Sequence, residues 1–319
     1  MGVSSPVHDT PSRVSPGLDP AWVARTVEVA LDEDLGPAPG RDVTTQATVP
    51  PSAEGVADLV ARQDGVVAGL VVVREVLEQV AARLGLPAPA VTFHAQDGDA
   101  VTAGRLLAAL AGRTQVLLVA ERTLLNLAGR ASGVATATRA FARELAGTGA
   151  QVLDTRKTTP GLRALQKYAV RAGGGTNKRM GLYDVAMVKD NHVVAAGSVA
   201  AAVRAVRATF PDVPVQVEAD TTEQALEAVG AGADFLLLDN MPPAVLAEAV
   251  AAVRAREGHD GVPEHVELEA TGNLTLGVAR TVAETGVDYL SVGALTHSAP
   301  VLDLALDLRP ADRLPLSAS

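Results

Sequence analysis

The chain predicts an α/β protein: an incomplete C-terminal α/β barrel preceded by a smaller N-terminal α+β sandwich domain. Beyond residue 150, six short apolar runs, at 151–153, 185–188, 213–217, 235–238, 265–268 and 289–292, are mostly separated by Ala-rich helical patterns. Parallel strands buried on both faces read as continuous apolar runs of this kind. Each run stops on polar or small residues, such as Asp154-Thr155-Arg156-Lys157, Lys189-Asp190-Asn191, Glu218-Ala219-Asp220, Asp239-Asn240, Glu269-Ala270-Thr271-Gly272 and Gly293. Barrel enzymes place their chemistry at the carboxyl ends of their strands, and six strands are fewer than the usual eight. A doubly wound sheet is the alternative, but no GxGxxG follows a strand, and Gly173-Gly174-Gly175 follows a helical segment.

Element by element, residues 1–20 are rich in Ser and Pro and read as a disordered leader. The α+β domain is expected over 21–130 and the barrel over 131–296, with a tail from about 297 to 319 packing back onto the first domain. Apolar residues at helical spacing predict a helix over 22–32, ending at Glu33-Asp34-Leu35-Gly36. Residues 54–70 read as two strands joined by a hairpin at Gln63-Asp64-Gly65. A helix over 71–84, a strand over 90–95 and a turn at Asp97-Gly98-Asp99 complete the mixed pattern. The stretch 97–110 is similar to half of a biotinyl or lipoyl carrier module, yet carries no lysine on a hairpin and is read as structural. A long helix over 115–146 buries Leu117, Leu118, Leu124, Leu125 and Leu127, and sets Arg122 and Asn126 on the opposite face. Its small residues over 129–137 permit close approach of another helix or subunit.

Charge narrows the function. Between Asp154 and His192 lie Arg156, Lys157, Arg163, Lys167, Arg171, Lys178, Arg179 and Lys189, in a chain with 27 Lys and Arg against 37 Asp and Glu. A basic island in a protein of net charge −10 is a local pocket for a polyanionic small molecule, not the basic face of a nucleic-acid binder. The absence of cysteine excludes disulfides and thiolate chemistry, and no apolar run reaches membrane-spanning length, so a cytoplasmic protein is expected.

Arg156, Lys157, Arg179 and Lys189, with Lys178 beside them, can converge on several carboxylates or phosphates. Glu218 and Asp239, on neighbouring strand ends, can hold Mg2+ or the hydroxyls of a sugar. Thr271-Gly272-Asn273, expected to start a helix, and Gly293 offer backbone N–H groups to a phosphate. No Ser or Cys nucleophile stands near a histidine, so positioning and electrostatics carry the chemistry. A Schiff base on Lys189 is the rival class, but it would not need the arginines. Lys167 reads as part of a solvated helix face, Arg163 less clearly so; His192 orients the Lys189 strand end or is merely structural, and His297 is structural.

The residues resemble the nicotinate-nucleotide diphosphorylase (carboxylating) family, the quinolinate phosphoribosyltransferases. The resemblance rests on Glu33-Asp34-Leu35-Gly36 with Asp42-Val43-Thr44, Glu121-Arg122-Thr123-Leu124-Leu125-Asn126, Asp154-Thr155-Arg156-Lys157-Thr158-Thr159-Pro160-Gly161, Gly173-Gly174-Gly175, Lys189-Asp190-Asn191-His192, Asp239-Asn240, and Val292-Gly293-Ala294-Leu295-Thr296-His297. It implies transfer of a phosphoribosyl group from phosphoribosyl pyrophosphate to quinolinate with loss of CO2, and a homodimer in which the small domain of one subunit covers the barrel mouth of the other. Arg122 then reaches the partner's quinolinate, whose carboxylates also meet Arg156, Arg179 and Lys189. Lys157 belongs at the junction of quinolinate and diphosphate, Glu218 and Asp239 at ribose and Mg2+, and Thr271, Gly272, Asn273 and Gly293 at the 5′-phosphate. One position departs from the pattern: the family usually has Asn-His-Arg where this chain has Asn177-Lys178-Arg179, which keeps a cation and loses an imidazole.

Overall fold

A computed structural model describes residues 17–259 and 262–309. Most of the expected leader, including His8, and the tail beyond residue 309 lie outside the described residues.

Helix α1 (Pro20–Leu35) is capped by Asp19, whose Oδ1 accepts from Ala21 N at 3.0 Å, and buries Val23, Val27 and Leu31 at a four-residue spacing. Gly36, at φ 83°, ends it. Helix α2 (Val43–Thr48) starts on Asp42, and β1 (Glu54–Ala61) alternates buried Ala57, Leu59 and Ala61 with less buried neighbours. The expected hairpin at Asp64-Gly65 does not form. Strand β2 (Gly65–Val66) pairs instead with β4 (Ala100–Val101), and the Asp64 carboxylate accepts from Ala103 N at 2.9 Å, tying the turn to that side. A 3-10 turn at Leu70–Val72 leads into α3 (Val73–Leu84), then β3 (Ala90–Phe93) and β5 (Leu106–Arg113) follow. With β12 (Leu304–Leu308) they form an antiparallel sheet in the order β12-β1-β5-β3.

Helix α4 (Thr114–Glu144) runs unbroken past residue 130, about 46 Å at 1.5 Å per residue. Its small residues do admit a close approach, but by segments of the same chain. Ser132 Oγ accepts from Ala68 N at 2.9 Å and donates to Ala68 O at 3.0 Å. On another side of the helix, a Cβ placed at Gly133 would stand 1.9 Å from Pro300 O. Gly133→Ala is therefore expected to destabilise the fold by at least about 1–3 kcal/mol, the usual range for overpacking a tight core. Chemical denaturation checks this, and an unchanged midpoint would show that residues 300–302 yield freely.

The C-terminal half alternates strands and helices: β6 (Gln151–Leu153), α5 (Arg163–Ala172), β7 (Ala186–Val188), α6 (Asp190–Ala196), α7 (Val199–Thr209), β8 (Val215–Ala219), α8 (Thr222–Gly230), β9 (Phe235–Asp239), α9 (Pro243–Arg254), β10 (Glu267–Thr271), α10 (Leu276–Ala283), β11 (Tyr289–Ser291) and α11 (Ala294–His297). All six expected strands are present. They pair in parallel in the order β6-β11-β10-β9-β8-β7, so the first strand meets the last, as barrel closure requires. The β6–β7 seam stays open, and Thr176 bridges to Leu153 along it. Hence the barrel is incomplete.

Three strands run further than the apolar runs suggested, through Ala219, Asp239 and Thr271, which places Glu218 and Glu269 inside strands. Successive strand side chains face opposite sides. Val215, Val217, Ala219, Leu236, Leu238, Leu268 and Ala270 join the apolar core packed against the helices. Their alternates, Gln216, Glu218, Leu237, Asp239, Glu269 and Thr271, face the other way, and all but Leu237 make the barrel interior polar.

Candidate active site

The cationic side of the barrel is organised by one buried carboxylate. Asp154, at the end of β6, is fully buried; it pairs with Lys167 Nζ and accepts from Lys178 N at 2.9 Å and Asn177 Nδ2 at 2.6 Å. Lys167 is thus not on a solvated face: it is 3% exposed, and its ammonium also donates to Lys178 O at 2.9 Å. Burial pushes the Asp154 carboxyl up and the Lys167 amine down, and the ion pair pulls each back. The consequence is a fixed backbone for residues 177–179, which carry two of the expected site cations.

Those cations come together. Burial lowers the Arg179 guanidinium from its ordinary value, and the neighbouring Arg156 charge pushes the same way. Lys178 is lowered by burial too; Glu269 opposes that shift, while Arg179 and Lys189 add to it. Like charges crowded without enough counter-charge mark a place for an anion. Arg156 Nε is buried with no partner, a second sign of an acceptor to come. Arg179 Nη1 donates to Val185 O at 2.8 Å, which aims its side chain along β7. Arg163 is not solvated either: it donates to Thr158 Oγ1 at 2.9 Å and Met180 O at 3.0 Å, joining the two cationic loops.

Lys157 is exposed, on a loop that Thr296 and Gln166 hold. Thr296 Oγ1 donates to Lys157 O at 2.8 Å, Gln166 Nε2 donates to Thr296 O at 2.8 Å, and Gln166 Oε1 accepts from Thr159 N at 2.8 Å. A Cβ on Gly293 would lie 3.2 Å from Lys157 Cδ, so the lysine stem crosses directly over this glycine. His297 turns its Nε2 toward Gly293, and its Nδ1 shares a hydrogen bond with Ser298 Oγ at 2.6 Å. His192 Nδ1 accepts from Lys189 N at 3.0 Å, so it orients the start of α6.

Opposite the cations, Lys189 Nζ pairs with Glu218, which is largely buried, while Asp239 ends the next strand. Burial raises the Asp220 carboxyl, helped by Asp190, Asp239 and Glu218 nearby. Such a negative field suits a cation, although no group of three or more metal-ligating side chains stands together among the described residues. Two carboxylates without a complete cage fit Mg2+, which keeps waters and takes phosphate oxygens from its substrate.

The expected phosphate loop differs in one respect from a helix start. Thr271 ends β10 and α10 begins only at Leu276, so Gly272 and Asn273 form a loop in left-handed conformations, φ 104° and 45°. A Cβ at Gly272 would stand 2.1 Å from Asn240 Oδ1, and Asn240 N donates to Thr271 O at 3.0 Å. Only glycine lets the ends of β9 and β10 close together there.

Arg122 is exposed on α4 and has no hydrogen bond or ion pair within the described residues. Nothing among the described residues ties it to the strand-end cations. A cavity of about 750 Å3 between α1, α4 and the Pro160–Gly161 loop is lined by Glu33, Asp34, Asn126 and Arg130, and by none of the strand-end charges. It brings three of the sequence motifs together.

Compared with known proteins, residues 42–132 match the quinolinate phosphoribosyl transferase N-terminal domain and residues 134–307 its C-terminal domain. The chain belongs to the quinolinate phosphoribosyltransferase family. It is 47% identical to nicotinate-nucleotide pyrophosphorylase (carboxylating) of Mycobacterium leprae, covering 89% of this chain and 96% of that one. It is 36% identical to quinolinate phosphoribosyltransferase (decarboxylating) 1 of Nicotiana glauca, over 92% of this chain and 85% of that one. The solved structure of NadC from Streptococcus pyogenes superposes with a TM-score of 0.83 at 35% identity, covering 92% and 99% of the two chains.

Proposed function

We infer that this family member transfers the phosphoribosyl group of phosphoribosyl pyrophosphate to quinolinate, releasing diphosphate and CO2 and leaving nicotinate mononucleotide. The observation that carries the reading is the convergence of Arg156, Arg179, Lys178 and Lys189 at one barrel end, facing Glu218 and the Asp239 strand end. A dicarboxylate fits the first group, and a ribose with its hydroxyls and metal fits the second.

In this reading Arg156 and Arg179 grip the quinolinate carboxylates and Lys189 leaves Glu218 to join them. Lys157 lies over Gly293, where it meets both quinolinate and diphosphate. Glu218 and Asp239 hold the ribose and Mg2+; the metal, when bound, spreads the negative charge that builds on the departing diphosphate. Thr271, Gly272, Asn273 and Gly293 receive the 5′-phosphate.

The pyridine nitrogen forms its bond to the anomeric carbon as the bond to diphosphate breaks, so no general base is needed. The quaternary nitrogen then stabilises the electron pair left at C2 when CO2 departs, and a proton takes its place. The residues hold two polyanions in line and neutralise them, which is the larger part of such catalysis. Completing the site needs a homodimer, with Arg122 of one subunit reaching the other's quinolinate. The cytoplasm suits a protein whose substrates are phosphorylated metabolites.

The test is turnover of ring-labelled quinolinate by purified protein with Mg2+ and phosphoribosyl pyrophosphate, with nicotinate in parallel. Nicotinate mononucleotide from quinolinate alone is expected. No product from quinolinate sinks the assignment.

A further inference from the structure

The barrel interior holds a carboxylate that the functional reading leaves without a task. Glu269, in the middle of β10, is 3% exposed and both its oxygens are engaged. Oε1 accepts from Lys178 Nζ at 2.5 Å, and Oε2 accepts from Gln216 Nε2 at 2.7 Å across the lumen from β8. Lys178 is held from behind as well, its N donating to Asp154 and its O accepting from Lys167. Backbone and ammonium are thus fixed independently.

We propose that Glu269, itself held by Gln216, is a positioning residue for Lys178: it sets the ammonium on the barrel floor beside Arg179 and Lys189 and keeps it charged for an anionic substrate. The proposal rests on the phosphoribosyltransferase reading of the site. An imidazole at position 178 would be neutral or charged as its surroundings required, whereas a buried lysine needs a counter-charge to stay protonated. Glu269 is the carboxylate in contact with this ammonium. The other charges around Lys178 are the cations Arg179 and Lys189, with the Asp154–Lys167 pair on its backbone. An ammonium has three N–H bonds. With one committed to Glu269, two remain for the substrate side, so Lys178 serves an incoming carboxylate without abandoning the buried glutamate.

Removing the carboxylate while keeping its shape, Glu269→Gln, leaves Lys178 in a buried site among like charges, and its amine should lose its proton at lower pH. The experiment compares wild type, Glu269→Gln, Lys178→Met and the double variant, following kcat and KM for quinolinate across about pH 6.5 to 9.5. The basic limb of the Glu269→Gln profile is expected to move down by about one pH unit or more, a limb Lys178→Met lacks. The double variant is expected to match Lys178→Met, since the two side chains act as one unit. In parallel, the Cε resonance of Lys178, labelled with 13C and assigned by its loss in Lys178→Met, reports the amine directly and needs no turnover. Its midpoint should fall in Glu269→Gln, and an unchanged midpoint overturns the proposal, as does a Glu269→Gln profile identical to wild type. If wild type makes no product, the functional reading fails while the Cε titration still decides whether Glu269 governs Lys178. Should Glu269→Gln not fold, Glu269→Asp, which draws the carboxylate back by one methylene, should move the limb in the same direction by less; no movement counts against the proposal.

Discussion

Co-expressing Arg122→Ala with Lys189→Ala subunits is expected to restore about a quarter of wild-type activity, although each variant alone is strongly impaired. Arg122 is exposed on α4, on the small domain, with no bond among the described residues, while Lys189 sits at a strand end of the barrel. If Arg122 completes the partner's site, every homodimer of either variant has two defective sites. In a mixed dimer one site takes its barrel from the Arg122→Ala subunit and its arginine from the Lys189→Ala subunit, and is intact. The other collects both defects. Random pairing makes about half the dimers mixed, with one good site in two, hence the quarter. Loss of a charge-assisted contact to a carboxylate costs about 1.5–3 kcal/mol, so each parent should fall roughly 10- to 150-fold in kcat/KM, clear of the recovered signal. Activity no higher than the mean of the parents would place Arg122 in its own subunit's site or in none.

The barrel was legible because its strands had to be apolar on the helix-facing side, and the six runs show it. Their true ends were hidden by the same habit of reading. In Val215-Gln216-Val217-Glu218-Ala219 and Val266-Glu267-Leu268-Glu269-Ala270 the polar residues alternate at a period of two, the mark of a lumen that is polar while the outer face is apolar. Taking the polar residues as the end of the strand loses Glu269 from the barrel interior, and Gln216 passes unnoticed inside the run 213–217. Arg156 and Lys189 were visible as charges placed just after apolar runs, and Arg179 as part of the basic island after the three glycines. Lys167 was not, because helical spacing marks which residues share a face and cannot say what that face meets. Its partner, Asp154, sits on a strand 13 positions away in sequence, a long-range contact with no local pattern. The missing hairpin has the same origin: Asp64-Gly65 makes a turn in either pairing, and the chain around residues 100–103 decides which.

Replacing Lys167 by Met should cost more stability than any other single change at the site, about 3–5 kcal/mol at neutral pH, because it strands a buried charge. Methionine keeps most of the buried stem, so the loss is of the charge and not of packing. Asp154 would retain Lys178 N and Asn177 Nδ2 as donors but lose its ion-pair partner. Burial already raises this carboxyl, and the Lys167 charge is the leading influence holding it down. In the variant its folded pKa therefore rises well above the unfolded one. The native state then keeps a proton that the unfolded chain gives up, and stability falls as pH rises from the ordinary carboxylate value through the raised one. The deficit relative to wild type should be smallest near about pH 4.5 and largest at about pH 7. Denaturant melts at both values check this, and equal deficits would mean that Asp154 finds another cation. Asp154→Asn combined with Lys167→Met removes both charges and should recover most of the lost stability, since a neutral pair has no uncompensated ion. Activity should not return with it, because the asparagine supplies one amide oxygen where the carboxylate used two to hold Asn177 and Lys178 in place.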